Sequence, residues 1–130
     1  MNCSKSLEEL VIKKVYRFRR LQKGYAAFVG CEYQQYRGTS CNKSRITQKE
    51  LEKMLECRLK DKLKTLGVLG QKRGKNYLGN CAEVHAANKV LLQNDIVAIK
   101  QLTFSNAYRP RTLQRIDYCQ NCLDTFQIKN

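Results

Sequence analysis

Three cysteines and one glutamate have the residue types and spacing of a metal-dependent catalytic centre. Glu83 follows Cys81 by two positions, and a Cys-x-x-Cys pair, Cys119 and Cys122, comes later in the chain. Zinc takes thiolate or imidazole ligands in proteins, and a catalytic zinc keeps its fourth position for water. A carboxylate beside such a site can transfer protons. The pattern therefore predicts a zinc ion held by the three cysteines, with Glu83 as the proton carrier.

A structural metal site, or no metal, is the alternative interpretation of the same cysteines. Cys-x-x-Cys pairs also occur in structural zinc sites and redox-active dithiols, but a zinc ribbon needs two pairs and a thioredoxin-type motif belongs near an early βαβ unit. His85, the only histidine, lies four residues after Cys81 and therefore on nearly the same helix face. It is an alternative ligand, although a pocket role fits better because three cysteines already complete the set.

An N-terminal helix and a hairpin are predicted ahead of these residues. A capping box of Ser6 and Glu9 begins a basic amphipathic helix within residues 1–23. Residues 25–37 are rich in Tyr, Val and Phe, which favours two short strands joined by a tight turn.

A leucine-rich helix and a glycine-rich loop are predicted next. The capping box of Thr47 and Glu50 begins a helix whose apolar stripe continues unbroken to Leu66. Residues 67–79 contain four glycines and three basic residues, which predicts a mobile loop able to contact phosphates. The loop lacks the Gly-Lys-Ser/Thr ending of a nucleotide-binding P-loop.

Helix, strand and helix are predicted around the site residues. Residues 81–93 favour a helix with small side chains that can lie close to a sheet, and the apolar run within 96–104 predicts a buried central strand. Residues 105–118 predict an irregular basic and aromatic loop, and residues 119–126 two turns of helix. The chain, residues 1–130, is therefore expected to form a single α/β domain.

The charge of the chain predicts a polyanionic partner. A net charge of +14 on 130 residues is self-repulsive unless the partner is DNA, RNA or an acidic protein. A solvated basic surface is the alternative. No apolar run approaches the roughly 20 residues of a bilayer-spanning helix, so no membrane partner is expected. No secretory signal is recognised in residues 1–9, so the chain is not expected to carry that export route itself. Seven cysteines, an odd number without the spacing of a disulfide scaffold, predict reduced thiols.

The segment Asn-Cys-Ala-Glu-Val-His-Ala at residues 80–86, followed by the Cys-x-x-Cys pair, resembles the cytidine deaminase-like superfamily and, within it, the YwqJ-like branch of bacterial toxin deaminases. The resemblance covers roughly residues 25–130. It implies a three-layer α-β-α deaminase fold with a small central mixed sheet, a zinc cofactor on the three cysteines, and Glu83 as proton shuttle. The superfamily usually has proline before the paired cysteines, whereas Tyr118 stands here and predicts a different turn.

The resemblance also implies an activity and a biological setting. The expected activity is that of a hydrolase converting cytosine to uracil in DNA or RNA, as the C-terminal toxin domain of a larger secreted bacterial protein. Such a domain would be exported with that protein and act in the cytoplasm of the target cell during interbacterial competition. An immunity protein would neutralise it in the producing cell. The alternatives are a free nucleoside or nucleotide deaminase, or a basic nucleic-acid-binding module with a structural zinc.

Six further residues, all near the ligand motifs, are predicted to contact the substrate. They are Asn80, His85, Tyr108, Arg109, Arg111 and Arg115. Stacking by the tyrosine and phosphate contacts by the arginines would suit a flipped or single-stranded base. A solvated basic loop is the alternative for the residues that precede the paired cysteines.

Overall fold

A small antiparallel sheet forms the centre of the structure, a computed structural model that describes residues 3–17, 27–42 and 45–130 and the backbone of 18–21. Its strands are β1 (Phe28–Tyr33), β2 (Tyr36–Cys41), β5 (Thr103–Phe104), β6 (Ala107–Arg109) and β7 (Gln114–Ile116). β1 pairs with β2 on one edge and with β5 and β6 on the other, and β6 pairs with β7. Every described pair is antiparallel, so the prediction of a mixed sheet is wrong.

Helices pack on both faces of this sheet. α1 (Lys5–Leu21) lies on one face, and α4 (Ala82–Gln93) lies on the other. Two glycines permit these approaches, because a Cβ at Gly30 would lie 2.5 Å from a side chain of α1 and one at Gly38 would lie 2.5 Å from a backbone oxygen of α4. The chain is therefore a mixed α/β domain with apolar packing on both sides of the sheet.

The first helix starts two residues earlier than its capping box predicts. Ser4 Oγ accepts a hydrogen bond from the Leu7 amide at 3.2 Å, so Ser4 rather than Ser6 caps α1. The amide and hydroxyl of Ser4 also donate to the Glu32 carboxylate of β1, at 2.6 and 2.9 Å. This tie to the sheet fixes the helix start. The first two and last two residues of the predicted 1–23 segment lie outside the described residues.

The leucine-rich segment forms two helices, α2 (Gln48–Met54) and α3 (Cys57–Lys64), rather than one. The buried Asn88 of α4 occupies the break. Its Nδ2 donates to the last carbonyl oxygen of α2 at 2.9 Å, and its Oδ1 accepts from the Glu56 amide at 2.7 Å. The Glu56 side chain then caps α3. Hydrophobic periodicity did not indicate the break because the buried leucine stripe continues across it.

The predicted central strand is largely absent. Only β5 forms a paired strand, residues Ile99–Gln101 form a 3-10 turn, and Ile96 is 87% exposed. Asn94 gives the physical reason, because its Oδ1 accepts from the amides of Ile96 and Val97 at 2.8 and 3.1 Å. Those amides are thereby taken from any strand pairing.

Two segments predicted as loops contain β-hairpins. In the first, β3 (Lys72–Arg73) pairs with β4 (Asn76–Tyr77), and in the second β6 pairs with β7. Strands of two or three residues are too short for an alternating pattern to show. The last helix, α5 (Gln120–Phe126), forms as expected, and all seven cysteines are free thiols. Within the described part of the chain, no helix has the length and apolar character to span a bilayer.

Candidate metal centre and its cavity

The three cysteines predicted as ligands converge in space. The Sγ atoms of Cys81, Cys119 and Cys122 all lie within 4.8 Å of one another. The distance from Cys81 Sγ to Cys119 Sγ is 3.0 Å, and that from Cys119 Sγ to Cys122 Sγ is 3.6 Å. Two of the residues are buried and Cys119 is half-buried. A compact set of three sulfurs can hold a metal ion, and thiolate donors are compatible with zinc.

Two helix starts bring the sulfurs together. Cys81 is the N-cap residue of α4, and Cys119 is the N-cap residue of α5, each with extended backbone angles. Cys122 follows within the first turn of α5 because of the Cys-x-x-Cys spacing. Unpaired amides and the positive end of the helix dipole stabilise thiolates at such positions. The spacing of the cysteines in the sequence thus corresponds to their positions at the starts of α4 and α5.

The pKa values of the three thiols show how the cluster shares its protons. Hydrogen bonds with Cys122 and Cys81 lower the pKa of Cys119 to about 3. The pKa of Cys81 is raised, chiefly by its hydrogen bond with Cys119, and burial raises the pKa of Cys122 well above its usual range. Without a metal, the cluster therefore favours one thiolate beside two thiols, and metal binding must displace protons.

Glu83 lies beside the sulfurs and is 4% exposed. Its Oε2 accepts a hydrogen bond from Cys122 Sγ at 3.2 Å. Burial raises the pKa of this carboxyl, while its backbone hydrogen bond and the bond from Cys122 act in the opposite direction. A raised pKa makes the protonated form of this carboxyl easier to reach than that of an exposed carboxyl.

A cavity of about 200 Å³ opens onto the cluster and Glu83. Its lining residues are Ala27, Asn42, Asn76, Cys81, Ala82, Glu83, Arg109, Ile116, Asp117 and Cys119. Two cysteines of the cluster and Glu83 therefore border the same cavity as the exposed Arg109 and Asp117. A small molecule or a single base could approach the cluster by this route.

Three polar residues of this lining were not predicted from the sequence. Asn42 follows the end of β2, Asn76 lies in β4, and Asp117 lies two residues before Cys119. Asn42 Oδ1 accepts from the Ala27 amide at 2.9 Å, which fixes that side chain at the cavity edge. Only the position of Asp117, so close to the paired cysteines, offered a signal in the sequence.

The predicted substrate contacts from the β6–β7 hairpin separate in the structure. Arg109 is exposed and lines the cavity, whereas Arg111 is exposed in the turn between the strands. Tyr108 points to the α1 side, where its hydroxyl donates to Glu8 Oε1 at 2.6 Å. Arg115 lines a different cavity on that side. Of these four residues, the structure brings only Arg109 to the cluster.

Asn80 and His85 lie outside the cavity lining. Asn80 Oδ1 accepts from the Ile46 amide at 3.0 Å and so holds the segment before α2. His85 is buried, it is not among the clustered metal-ligating groups, and its Nε2 has no hydrogen-bond partner among the described residues. Its surroundings are those of an interior side chain.

Two sets of hydrogen bonds hold α5 against the cavity. Arg73 of β3 donates to Asn121 Oδ1 at 3.0 Å and to Asp124 Oδ2 at 2.7 Å. Asn121 Nδ2 then donates to the Asn76 carbonyl oxygen at 3.3 Å. The segment predicted as a mobile loop is thus anchored to the helix that carries two of the sulfurs.

Two hydrogen bonds hold Tyr118 in the turn before Cys119. Its hydroxyl donates to the Ser105 carbonyl oxygen at 2.6 Å, and its amide donates to Asn130 Oδ1 at 2.6 Å. Proline has neither an amide hydrogen nor a hydroxyl, so it could make neither bond. Tyr118 therefore fixes the start of α5 by hydrogen bonding.

We expect His85 to make the protein less stable as the pH falls below about 6.5. Burial lowers the pKa of His85 from 6.5, so the unfolded chain binds its proton at a higher pH than the folded chain does. The free energy of unfolding should then decrease from pH 7 to pH 5. Urea unfolding of wild type and His85→Gln across this range measures the effect. Equal slopes for the two proteins would contradict it, because they share every other titrating group.

No protein-family model matches the chain, and no curated protein or solved structure is detectably similar to it.

Proposed function

We propose that the protein is a zinc-dependent hydrolase that deaminates cytosine to uracil in DNA or RNA. The observation that carries the proposal is the position of Glu83, whose carboxylate lies 3.2 Å from Cys122 Sγ and lines the same cavity as Cys81 and Cys119. A structural zinc site needs neither an acidic side chain nor an opening to solvent beside its ligands. A hydrolytic site needs both.

The donor set fits zinc. Cys81, Cys119 and Cys122 would hold the ion, which matches the three protein ligands of a catalytic zinc. Water and substrate can reach the cluster, since two of these cysteines border the cavity. When bound, zinc lowers the pKa of water toward neutrality and so supplies a nucleophile for the amino-bearing ring carbon.

Glu83 would carry the protons of the reaction. In zinc deaminases, the glutamate is not a ligand but acts as general acid and base. The carboxylate takes a proton from water and returns it to the departing amino group, so that cytosine and water become uracil and ammonia. The raised pKa of Glu83 suits this exchange because the carboxyl is easily protonated between the two transfers.

The architecture supports a deaminase-like fold. α1 and α4 lie on opposite faces of the sheet, which gives three layers. The order from the β1–β2 hairpin through the Cys-Ala-Glu helix to the two-cysteine helix is the one that the resemblance implies, although the central strand that it also implies is reduced to β5. The antiparallel sheet departs from the expected mixed one.

The charge of the chain supports a polymeric substrate. A net charge of +14 gives affinity through counterion release only when many phosphates are neutralised together. A free nucleoside offers no phosphate. Arg109 places one of these cations at the cavity itself.

Deamination of oligonucleotides tests the proposal. Zinc-loaded wild type and Glu83→Gln are incubated with single- and double-stranded DNA and RNA and with free cytidine. Sequencing detects cytosine-to-uracil conversion, and an ammonia assay detects turnover of the nucleoside. We expect the wild type to convert at least one polymer and the variant to convert none.

Two other results would replace the proposal. Ammonia release from cytidine without conversion of any polymer would indicate a free nucleoside deaminase. Tight zinc binding without reaction on any of these substrates would indicate a structural site.

A further inference from the structure

Two hairpins border the cavity, and both have basic residues. The β3–β4 hairpin contributes Asn76 to the lining, and the β6–β7 hairpin contributes Arg109 and Ile116. A substrate that enters the cavity therefore comes close to both hairpins.

Apart from Arg115, which lines the cavity on the α1 side, four cations on the hairpins have no acidic partner. Lys72 and Lys75 belong to the first hairpin, Arg109 and Arg111 to the second, and all four are exposed. In the described part of the chain, none of them forms an ion pair with a carboxylate. Arg73 differs from them because Asp124 neutralises it. The four unpaired cations are therefore available for phosphates.

The hairpins are also fixed before any substrate binds. Arg73 and Asn121 tie the first hairpin to α5. The second continues the central sheet, since β6 pairs with both β1 and β7. Cations on anchored hairpins lose less conformational entropy on binding than cations on mobile loops.

We propose that the two hairpins bind backbone phosphates on the two sides of the target base, so that the substrate is an internal base of a single strand. This inference rests on the proposed function. A free nucleoside has no phosphate, whereas a strand crossing the cavity has phosphates on both sides of the base. A base must leave its stack to approach the buried Glu83, and this costs least in a single strand.

Binding of a single-stranded oligonucleotide tests the inference without catalysis. The zinc-loaded Glu83→Gln protein is combined with Lys72→Ala/Lys75→Ala or with Arg109→Ala/Arg111→Ala, and fluorescence anisotropy follows affinity against salt. Each pair of substitutions should make the negative slope of log affinity against log salt shallower by about 1 to 1.5, because each phosphate contact to a single strand contributes about −0.7 to that slope.

The control pair is Lys49→Ala/Lys53→Ala, which removes the same charge from exposed positions of α2, a helix that contributes no residue to the cavity lining. The control should leave the slope within about 0.3 of the parent. An equal change of slope in the control and in the hairpin variants would overturn the inference, because it would show that the positive charge strengthens binding wherever it lies on the protein.

Neutral methylphosphonate linkages test the two sides separately. One oligonucleotide has the neutral linkage on the 5′ side of the target cytosine, and another has it on the 3′ side. The affinity of each hairpin variant should be unchanged by the neutral linkage at the phosphate that its hairpin no longer binds, and this linkage should be the 5′ one for one variant and the 3′ one for the other. Identical responses of both variants would overturn the inference. If wild type converts no oligonucleotide but these binding effects appear, the proposed function fails and the hairpins stand as a nucleic-acid-binding surface.

Discussion

Replacing Glu83 by glutamine is expected to lower kcat for base deamination by at least about 10³-fold while zinc stays bound. Glutamine keeps the size and one hydrogen-bonding oxygen of the side chain but cannot carry a proton at neutral pH. Glu83 is 4% exposed and lies 3.2 Å from Cys122 Sγ, so solvent cannot readily replace it. Single-turnover kinetics on an oligonucleotide that wild type converts measures the loss, and zinc analysis of the same samples measures the metal.

A second cavity carboxylate provides the control for this variant. Asp117 lines the same cavity but is exposed, and among the described residues it is not one of the groups that form the sulfur cluster. Asp117→Asn should therefore cost less than about tenfold in kcat. If Glu83→Gln keeps activity within tenfold of wild type, Glu83 does not carry the protons and the proposed mechanism is wrong.

Replacing any one of Cys81, Cys119 or Cys122 by serine is expected to remove most of the bound zinc and all measurable deamination. A zinc ion that loses one of three thiolates should lose more affinity than the roughly 10–100-fold caused by changes outside the ligands. Among the described residues, no other histidine, cysteine or carboxylate belongs to the cluster, so none stands ready to take the place of the lost sulfur. Competition with a chromophoric chelator measures the affinity.

Cys57→Ser is the matched control, because Cys57 is an exposed thiol of α3. It should bind about one zinc ion per chain with wild-type affinity. Circular dichroism of each variant checks that it folds like the wild type. Wild type stripped of zinc by a chelator should lose its activity and regain it when zinc returns. Full activity in the metal-free protein would contradict the account.

The chemistry-bearing residues were predictable because the pattern is local. Cys-x-x-Cys at a helix start places its first sulfur at the N-cap and its second in the first turn, which is how Cys119 and Cys122 lie. Cys81 is likewise the N-cap residue of α4, which places Glu83 in the first turn of that helix. That the two helix starts meet was inferred from the three ligands that a catalytic zinc needs and from the motif resemblance, and not from any local pattern.

The elements that shape the cavity were not predictable, because they depend on contacts that are not local in the sequence. Side chains distant in sequence decide them: Asn88 breaks the leucine-rich helix, and Arg73 anchors the glycine-rich segment to α5. Asn94 diverts the backbone of the expected central strand. Such contacts leave no periodic signal, because each involves one polar side chain and the backbone or side chain of a remote segment.

The cavity lining contains both residues that the sequence pattern predicted and residues that it did not. Asn42, Asn76 and Asp117 come from three separate segments and meet only because the sheet and the β3–β4 hairpin are placed as they are. Arg109 was predicted from its position before the paired cysteines, whereas its neighbours Tyr108 and Arg115 turn toward the α1 side. Alternation along a short strand separates adjacent residues in this way.

X-ray absorption at the zinc edge tests the central claim most directly, namely that three cysteines hold a zinc ion with one position left open beside Glu83. The spectrum of the purified protein should show three sulfur ligands at about 2.3 Å and one oxygen ligand at about 2.0 Å. A fourth protein ligand, seen as a further sulfur or as a histidine signal that disappears in His85→Gln, would contradict the claim. So would a protein that binds no zinc yet deaminates at the wild-type rate.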